Sequence, residues 1–186
     1  MNRARLAVAA AVLLAACSDN SNTPMSPVEG GPQLAITVTF NAANAPSGAH
    51  VQTGTPDVTL NGLTATSSQY ELAGVGNLNA TANLALTFSA TVDCTNHGGK
   101  LVPVKSSVQG AVITSGSLSP ENGRLTVPSL TNGGSSPTAQ QFLAAAVCPN
   151  GNWTKSLAGG SIQFSGFVYT LTFAGFSGPF ILITGP

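Results

Sequence analysis

The side chains most able to do chemistry in this sequence are its three cysteines and two histidines. Cys94 and His97 lie close together, with Asp93 just before them. A sulfur and an imidazole at this spacing could begin a zinc site, but tetrahedral zinc needs four ligands, or three and a water. Only Cys148, His50 and a few carboxylates could complete the set, so we expect no metal site.

Asp93 and His97 could also act with a nearby hydroxyl as a nucleophilic triad. The sequence has no Gly-x-Ser-x-Gly elbow to present such a nucleophile. Paired acids for glycoside hydrolysis must share one face, whereas the acids after the N-terminal segment lie in separate segments. We therefore predict no catalytic residue and no cofactor, and we keep a hydrolase using Asp93 and His97 as an alternative hypothesis.

Aromatic residues are better candidates for binding. Trp153, Tyr169, Phe167 and Phe173 could together line a platform for a carbohydrate or an apolar ligand. The simpler interpretation is that Trp153 caps the core beside a disulfide. We take Trp153, His97 and Tyr169 as the candidate binding surface.

The composition indicates a packed and nearly uncharged domain. Charged residues make up 6% of the chain and the formal net charge is zero, against about 25% charged residues in average soluble domains. Apolar residues reach 42%, which is not the composition of a disordered chain. Such a surface gives no electrostatic attraction for phosphates, so we expect no nucleic-acid partner.

The N-terminus carries a basic region, Arg3 and Arg5, followed by the apolar run 6–16 and then Cys17. The run is too short to remain as a membrane-spanning helix. Its end, Leu-Ala-Ala-Cys, resembles the lipobox of bacterial lipoproteins. The resemblance implies that residues 1–16 are a signal peptide and that Cys17 is joined to diacylglycerol, so that the membrane is a partner.

The resemblance also bears on location and domain organisation. Ser18 stands where an Asp would be similar to an inner-membrane retention signal, so we expect a lipid-anchored protein of the cell envelope, in the outer membrane if the cell is Gram-negative. Residues 17–33 combine Pro, Gly, Ser and Asn without an apolar period, which is typical of a flexible tether. Residues 34–186 remain as one domain.

With Cys17 lipidated, Cys94 and Cys148 are left as an even pair. Export would place them in an oxidising compartment, where such pairs close. We therefore predict one intramolecular disulfide between them.

The segments that must position these residues alternate between apolar and polar side chains, which is typical of strands. From Ala80 to Cys94 every second residue is apolar and the others are mostly polar. Leu34, Ile36, Val38 and Phe40 alternate in the same way. Strands with one buried face and one solvent-exposed face are typical of antiparallel sheets.

Further elements follow from the same pattern and from turn residues. The Asn-Gly pair at Asn122 predicts a type I′ hairpin turn, and a change of phase predicts a bulge at Gly166. Residues 138–147 (TAQQFLAAAV) suit a strand or a short helix, and we favour a strand. The other predicted strands are 57–64, 69–73, 104–117, 124–130, 161–174 and 180–184.

Many short strands separated by turns indicate an all-β fold, an antiparallel β-sandwich, with a β-barrel as the alternative. Two strand cysteines are a feature of immunoglobulin-like domains, but Trp153 follows the second Cys and Ala146 stands where a corner Tyr is needed. Segments 91–99 (TVDCTNHGG) and 148–153 (CPNGNW) resemble a pattern in uncharacterised exported bacterial proteins. That resemblance implies no activity.

These observations favour a membrane-anchored, non-catalytic domain with a structural, adhesive or partner-binding role, its partner being an envelope protein or a glycan. Long edge strands could also accept a partner strand. A carrier of a small apolar ligand inside the β framework is the alternative.

Overall fold

A computed structural model describes residues 36–186 of the chain. The predicted signal peptide, Cys17, the whole predicted tether and the first two residues of the predicted domain lie outside these residues. The described part is built from strands, one short 3-10 helix (Ala42–Asn44) and one α-helix, α1 (Ala139–Ala145). The strands are β1 (Thr37–Phe40), β2 (His50–Thr53), β3 (Val58–Asn61), β4 (Thr64–Ser67), β5 (Tyr70–Ala73), β6 (Ala80–Thr95), β7 (Leu101–Thr114), β8 (Arg124–Val127), β9 (Thr131–Asn132), β10 (Thr154–Leu157), β11 (Gln163–Phe173) and β12 (Ile181–Gly185).

The larger layer is organised around β6, whose 16 residues make it the longest strand. One edge of β6 pairs with β7, and the other pairs first with β11 and then, near Cys94, with β10. Beyond β11 the sheet continues to β12 and β1. The layer is therefore five strand positions wide, in the order β1-β12-β11-β6-β7, and all its pairings are antiparallel.

The smaller layer consists of two three-stranded sheets, β2-β5-β8 and β3-β4-β9. Only a few residues separate β2 from β3, β4 from β5 and β8 from β9, so the sheets are consecutive parts of the same three extended segments. Backbone hydrogen bonds span the interruption: the Ser67 amide donates to the Leu130 carbonyl at 2.8 Å, and the Ser68 amide to the Asp57 carbonyl at 2.9 Å. We therefore treat both sheets as one layer.

The core lies between the two layers. Every alternate residue of β6 from Ala80 to Cys94 is buried, as the sequence pattern predicts. From the smaller layer Tyr70, Leu72, Leu125 and Val127 belong to the same continuous cluster of buried side chains. The sheets do not close on themselves, so the prediction of an antiparallel β-sandwich is confirmed for the described residues and the barrel alternative is not.

Two local predictions are confirmed. Asn122 and Gly123 have φ angles of 50° and 75°, the left-handed values that a type I′ turn requires. Glu121 and Arg124 on either side exchange two backbone hydrogen bonds of 2.7 and 2.9 Å. The register of β11 against β6 shifts at Gly166, which is the predicted bulge.

The strand prediction for residues 138–147 is wrong, because this segment forms α1. Phe142 and Ala146, which fit a period of two, are also four residues apart and therefore share one helix face; both are buried. The Gln141 side chain accepts a hydrogen bond from the Thr138 amide at 2.8 Å and begins the helix. The apolar spacing fits both a strand and a helix, and the segment forms a helix because that conformation buries one of its faces.

Strand boundaries differ from the prediction elsewhere. The predicted strand 57–64 covers β3 and the start of β4, with a turn at Gly62, whose φ is 60°. The short strands β2, β9 and β10 were not predicted, since two to four residues give too little alternation to recognise.

The helix α1 packs against β6, β7 and β10 at the end of the larger layer that contains Cys94. The Ser106 hydroxyl of β7 donates to the Phe142 carbonyl at 2.9 Å in a buried setting. The Lys155 ammonium of β10 donates to the carbonyls of Leu143 and Ala146 at 3.0 and 2.6 Å. These bonds satisfy carbonyls that the C-terminus of a helix otherwise leaves unpaired.

Candidate functional site

Cys94 and Cys148 form a disulfide, with their Cα atoms 5.8 Å apart. Cys94 is fully buried, so the bond joins the end of β6 to the segment that follows α1. The disulfide prediction is confirmed. Because both sulfurs are bonded to each other, neither is a thiolate ligand, and residues 36–186 contain no group of three or more His, Cys, Asp or Glu able to hold a metal ion.

The structure gives the Asp93–His97 hypothesis no support. Asp93 is half-buried on β6, opposite Ser156 of β10, and His97 is exposed in the turn that follows. The turn is closed by a 2.8 Å hydrogen bond from the Lys100 amide to the Asn96 side chain. Within the described residues no hydrogen bond links Asp93 to His97, and neither lines the two cavities described below.

The prediction that Tyr169, Phe167 and Phe173 line an exposed aromatic platform is wrong. Tyr169, Phe167 and Phe173 are almost completely buried because they occupy the core face of β11. The Tyr169 hydroxyl forms a buried 2.7 Å hydrogen bond with the Tyr70 hydroxyl instead of facing solvent. Trp153 is half-buried in the turn before β10 and His97 is exposed, so the three residues of the predicted binding surface do not form one surface.

Two adjoining cavities mark a different candidate site, on the outer face of the β2-β5-β8 sheet. They measure about 610 and 240 Å³ and share Glu71 and Thr126, so we describe them together as the β5 groove. The larger is lined by Glu71, Leu118, Ser119, Glu121, Asn122, Arg124 and Thr126. The smaller is lined by Thr53, Gly54, Gln69, Tyr70, Glu71 and Thr126.

Strand alternation places these side chains on one face. In β5, Leu72 points into the core while Glu71 points outward, and in β8 Leu125 is buried while Arg124 and Thr126 are exposed. Thr126 lies directly opposite Glu71 in the antiparallel register. Arg124 is two residues along β8 and reaches Glu71 diagonally, with its guanidinium nitrogen 3.2 Å from a carboxylate oxygen.

The wall of the groove is the Asn122-Gly123 turn. Its positive φ angles bring Glu121 and Arg124 side by side at the end of β8. The Val75 amide donates to the Gly123 carbonyl at 3.2 Å and ties the turn to the end of β5. The local turn chemistry of the sequence therefore builds part of the site.

The β5 groove concentrates charge on an otherwise neutral domain. Residues 36–186 contain eight Asp, Glu, Lys or Arg side chains, and Glu71, Glu121 and Arg124 are three of them. The side chains of Arg124 and Glu71 are 60% and 27% exposed. An exposed ion pair adds little stability, so the guanidinium can exchange its partner for a ligand group at little cost.

Sequence reasoning missed this site because its residues come from three separate segments of the chain. The available signal was the outward position of charged and hydroxyl residues in predicted strands, together with the Asn-Gly turn beside them. Alternation assigns Glu71 and Arg124 to outer faces. It does not reveal that the two strands are neighbours.

No protein family model, curated protein or solved structure matches the chain. The similarity of segments 91–99 and 148–153 to uncharacterised exported proteins therefore stays a prediction. Within residues 36–186, none of the helical segments has both the length and the apolar character needed to cross a bilayer.

Proposed function

We propose that the chain is a lipid-anchored, non-catalytic binding protein of the cell envelope, and that it engages a partner protein through the β5 groove. The observation that carries the proposal is the Glu71–Arg124 pair, an exposed ion pair in a groove on a domain that has few other charges. Complementary charges at such a place select and orient a partner more than they add affinity.

The envelope location is supported by the sequence of the N-terminus. A basic region, an apolar run and a lipobox occur in order, ending at Cys17. A diacylated cysteine supplies two acyl chains, which hold a protein stably at a membrane where a single chain does not. The outer membrane is the proposed location in a Gram-negative cell because Ser18 follows Cys17.

A protein partner fits the groove better than a glycan. Its lining combines carboxylates, a guanidinium, hydroxyls and amides, which match the backbone and side-chain groups of a polypeptide. Tyr70 is the one aromatic ring in the lining and it is 3% exposed. A sugar ring that stacks on an aromatic face would find no exposed face among these lining residues.

The carrier alternative has less support. The space between the layers is occupied by a continuous cluster of buried side chains that includes Phe88, Phe167 and Tyr169. Both described cavities lie on the outer face of the smaller layer instead. An apolar ligand needs an apolar enclosure, which the β5 groove is not.

Site-specific photo-crosslinking in intact cells of the source organism tests the proposal. The probe is Thr126→p-benzoylphenylalanine in the full chain, since Thr126 is exposed and lines both cavities. The matched control is the same substitution at Ser107, an exposed residue of β7 in the other layer. We expect a discrete crosslinked protein with the Thr126 probe and none with the Ser107 probe.

A second substitution assigns the crosslink to the ion pair. Arg124→Gln should reduce it about tenfold, the effect of an interface arginine worth about 1.4 kcal/mol. Lys105→Gln removes an exposed charge from β7 and should leave the crosslink unchanged. Because the Glu71–Arg124 pair is exposed, Arg124→Gln should lower stability by at most about 1 kcal/mol. Equal crosslinking from Thr126 and Ser107, or none lost in Arg124→Gln, contradicts the proposal.

A further inference from the structure

The two edges of the larger layer differ in how they are covered. Within the described residues the larger layer is five strand positions wide, with β1 and β7 at its edges, and the smaller layer is three. On the β7 side, α1 packs over the edge and buries Phe142 against it. On the β1 side the described residues include only the short 3-10 helix Ala42–Asn44, none of whose residues is buried.

The consequence is a row of apolar side chains in contact with solvent. Val38 and Phe40 lie opposite Ile183 and Ile181, whose side chains are fully buried, so all four project from the core face. Val38 and Phe40 are nevertheless 39% and 50% exposed, and Ile36 just before β1 is 42% exposed. We call Ile36, Val38 and Phe40 the β1 stripe.

Among the residues that the structure describes, nothing gives the β1 stripe the usual protection of an edge strand. Edge strands are commonly shielded by charged residues or proline, whereas β1 is Thr-Val-Thr-Phe. Segments 36–41 and 180–186, which contain β1 and its neighbour β12, carry no charged side chain. A contiguous exposed apolar row of this kind indicates an interaction surface.

The position of the stripe along the chain identifies its occupant. Only 18 residues separate Cys17 from Ile36. A coil of that length spans about 20–25 Å and a fully extended one about 65 Å. A lipid joined to Cys17 would therefore hold β1, where the chain enters the domain, within reach of the bilayer surface at a high effective concentration.

A second copy of the chain is a poorer occupant. Pairing between two β1 edges would involve only four residues from each chain. Such a contact is far smaller than the roughly 1,200 Å² that stable protein interfaces bury. A bilayer needs no matching surface and accepts apolar side chains one at a time.

We propose that the β1 stripe rests in the lipid interface and so orients the domain on the membrane; this rests on the proposed lipid anchor at Cys17. Because the stripe is uncharged, contact requires no anionic lipid. The contact places the edge opposite to β7 against the membrane.

Fluorescence quenching by brominated lipid tests this contact. The full chain, expressed in bacteria with its N-terminal segment, is reconstituted into vesicles of phosphatidylcholine with or without bromine on the acyl chains. The probe is Phe40→Trp in a Trp153→Phe background, which removes the one native tryptophan. The matched control is Leu101→Trp in the same background, because Leu101 is 54% exposed at the β7 edge.

We expect brominated lipid to reduce the Phe40→Trp emission by at least about half and to leave the Leu101→Trp emission unchanged, since quenching requires contact with the acyl chains. Ile36→Trp is a second probe. Because Ile36 is exposed, we expect this substitution not to disturb folding. Adding Val38→Ser to the Phe40→Trp chain should weaken the quenching, because it removes an apolar member of the stripe.

The outcomes separate this inference from the anchor it rests on. If the chain fails to float with the vesicles, the anchor is refuted and the inference with it. If the chain floats but the Phe40 and Ile36 probes are not quenched, the inference alone is overturned. Equal quenching at Leu101 overturns the orientation. Emission that depends on the protein-to-lipid ratio, without bromine quenching, would assign the stripe to a second copy.

Discussion

The hydroxyls of Tyr70 and Tyr169 lie 2.7 Å apart inside the core and join the two layers of the sandwich. Tyr70 belongs to β5 of the smaller layer and Tyr169 to β11 of the larger one. They are the only two tyrosines of the chain. Each hydroxyl supplies the polar partner that the other needs when both are removed from water.

The ionisation of this pair predicts how stability depends on alkaline pH. Burial raises the pKa of Tyr169 to about 12, although its hydrogen bond with Tyr70 opposes the change. Burial, then the Tyr169 charge and the shared hydrogen bond, raise the pKa of Tyr70 still further. Unfolded tyrosines ionise near pH 10, so above that pH the unfolded state holds fewer protons than the folded state.

We therefore expect the free energy of unfolding contributed by the pair to be fully present below about pH 10 and to fall from there towards about pH 12. At 1.36 kcal/mol per pH unit for each tyrosine, the loss should approach about 5 kcal/mol for the pair at the upper end. Denaturant titrations at successive pH values measure it. Near-ultraviolet absorbance of the folded protein should show almost no tyrosinate at pH 11, and substantial tyrosinate there would contradict the prediction.

Substitution of the two tyrosines separates the stability contributed by their hydrogen bond from the stability contributed by their packed rings. Tyr70→Phe alone leaves the Tyr169 hydroxyl buried without its partner, which should cost about 1–3 kcal/mol. Tyr169→Phe should cost a similar amount. The double variant removes both polar groups and keeps both rings, so it should be less destabilised than the sum of the single variants. A double-mutant cycle by chemical denaturation measures the coupling, and simple additivity would refute the account.

The sequence predicts which segments form strands better than it predicts which strands lie side by side. Alternation from Ala80 to Cys94 predicts β6 and its buried face, because successive side chains of a strand point to opposite faces of the sheet. The turn at Asn122 is predicted because Asn-Gly tolerates positive φ. The helix α1 was not, since Phe142 and Ala146 fit both periods and the choice depends on packing against β7.

The candidate site was less predictable than the fold. The Cys94–Cys148 bond is predicted from the expected export of the chain and from the even number of cysteines after Cys17, but the β5 groove depends on which strands lie side by side. Tyr169 illustrates the limit: a tyrosine on an apolar strand is read as a surface aromatic or a core residue with equal ease. Only the presence of Tyr70 across the core, 99 residues away, gives its hydroxyl a buried partner.

The disulfide should supply a large part of the stability of the domain. It closes a loop with a sequence separation of 54 residues that includes β7, β8, β9 and α1. The chain-entropy model assigns about 4 kcal/mol to such a loop. We expect Cys94→Ala with Cys148→Ala to lower the free energy of unfolding by about 2–5 kcal/mol, measured with denaturant.

Reduction of the wild-type chain is the matched control for the disulfide. It keeps both cysteine side chains and breaks only the bond, so it should reproduce most of the loss seen in the double variant. A change below about 1 kcal/mol in both experiments would show that the bond constrains little of the unfolded chain.

The bulge at Gly166 makes the last prediction. A Cβ at position 166 would lie 2.6 Å from the Gly185 carbonyl oxygen of β12, closer than atoms can pack. Gly166→Ala must therefore push β12 away or shift the register that places Phe167, Tyr169 and Leu171 in the core. We expect the free energy of unfolding to fall by about 1–3 kcal/mol, as for other overpacked sites.

Gly159→Ala is the control, because a Cβ there meets nothing within 4 Å, and it should change stability by less than about 0.5 kcal/mol. Equal stability of the two variants would mean that β11 and β12 do not need the close approach that glycine permits.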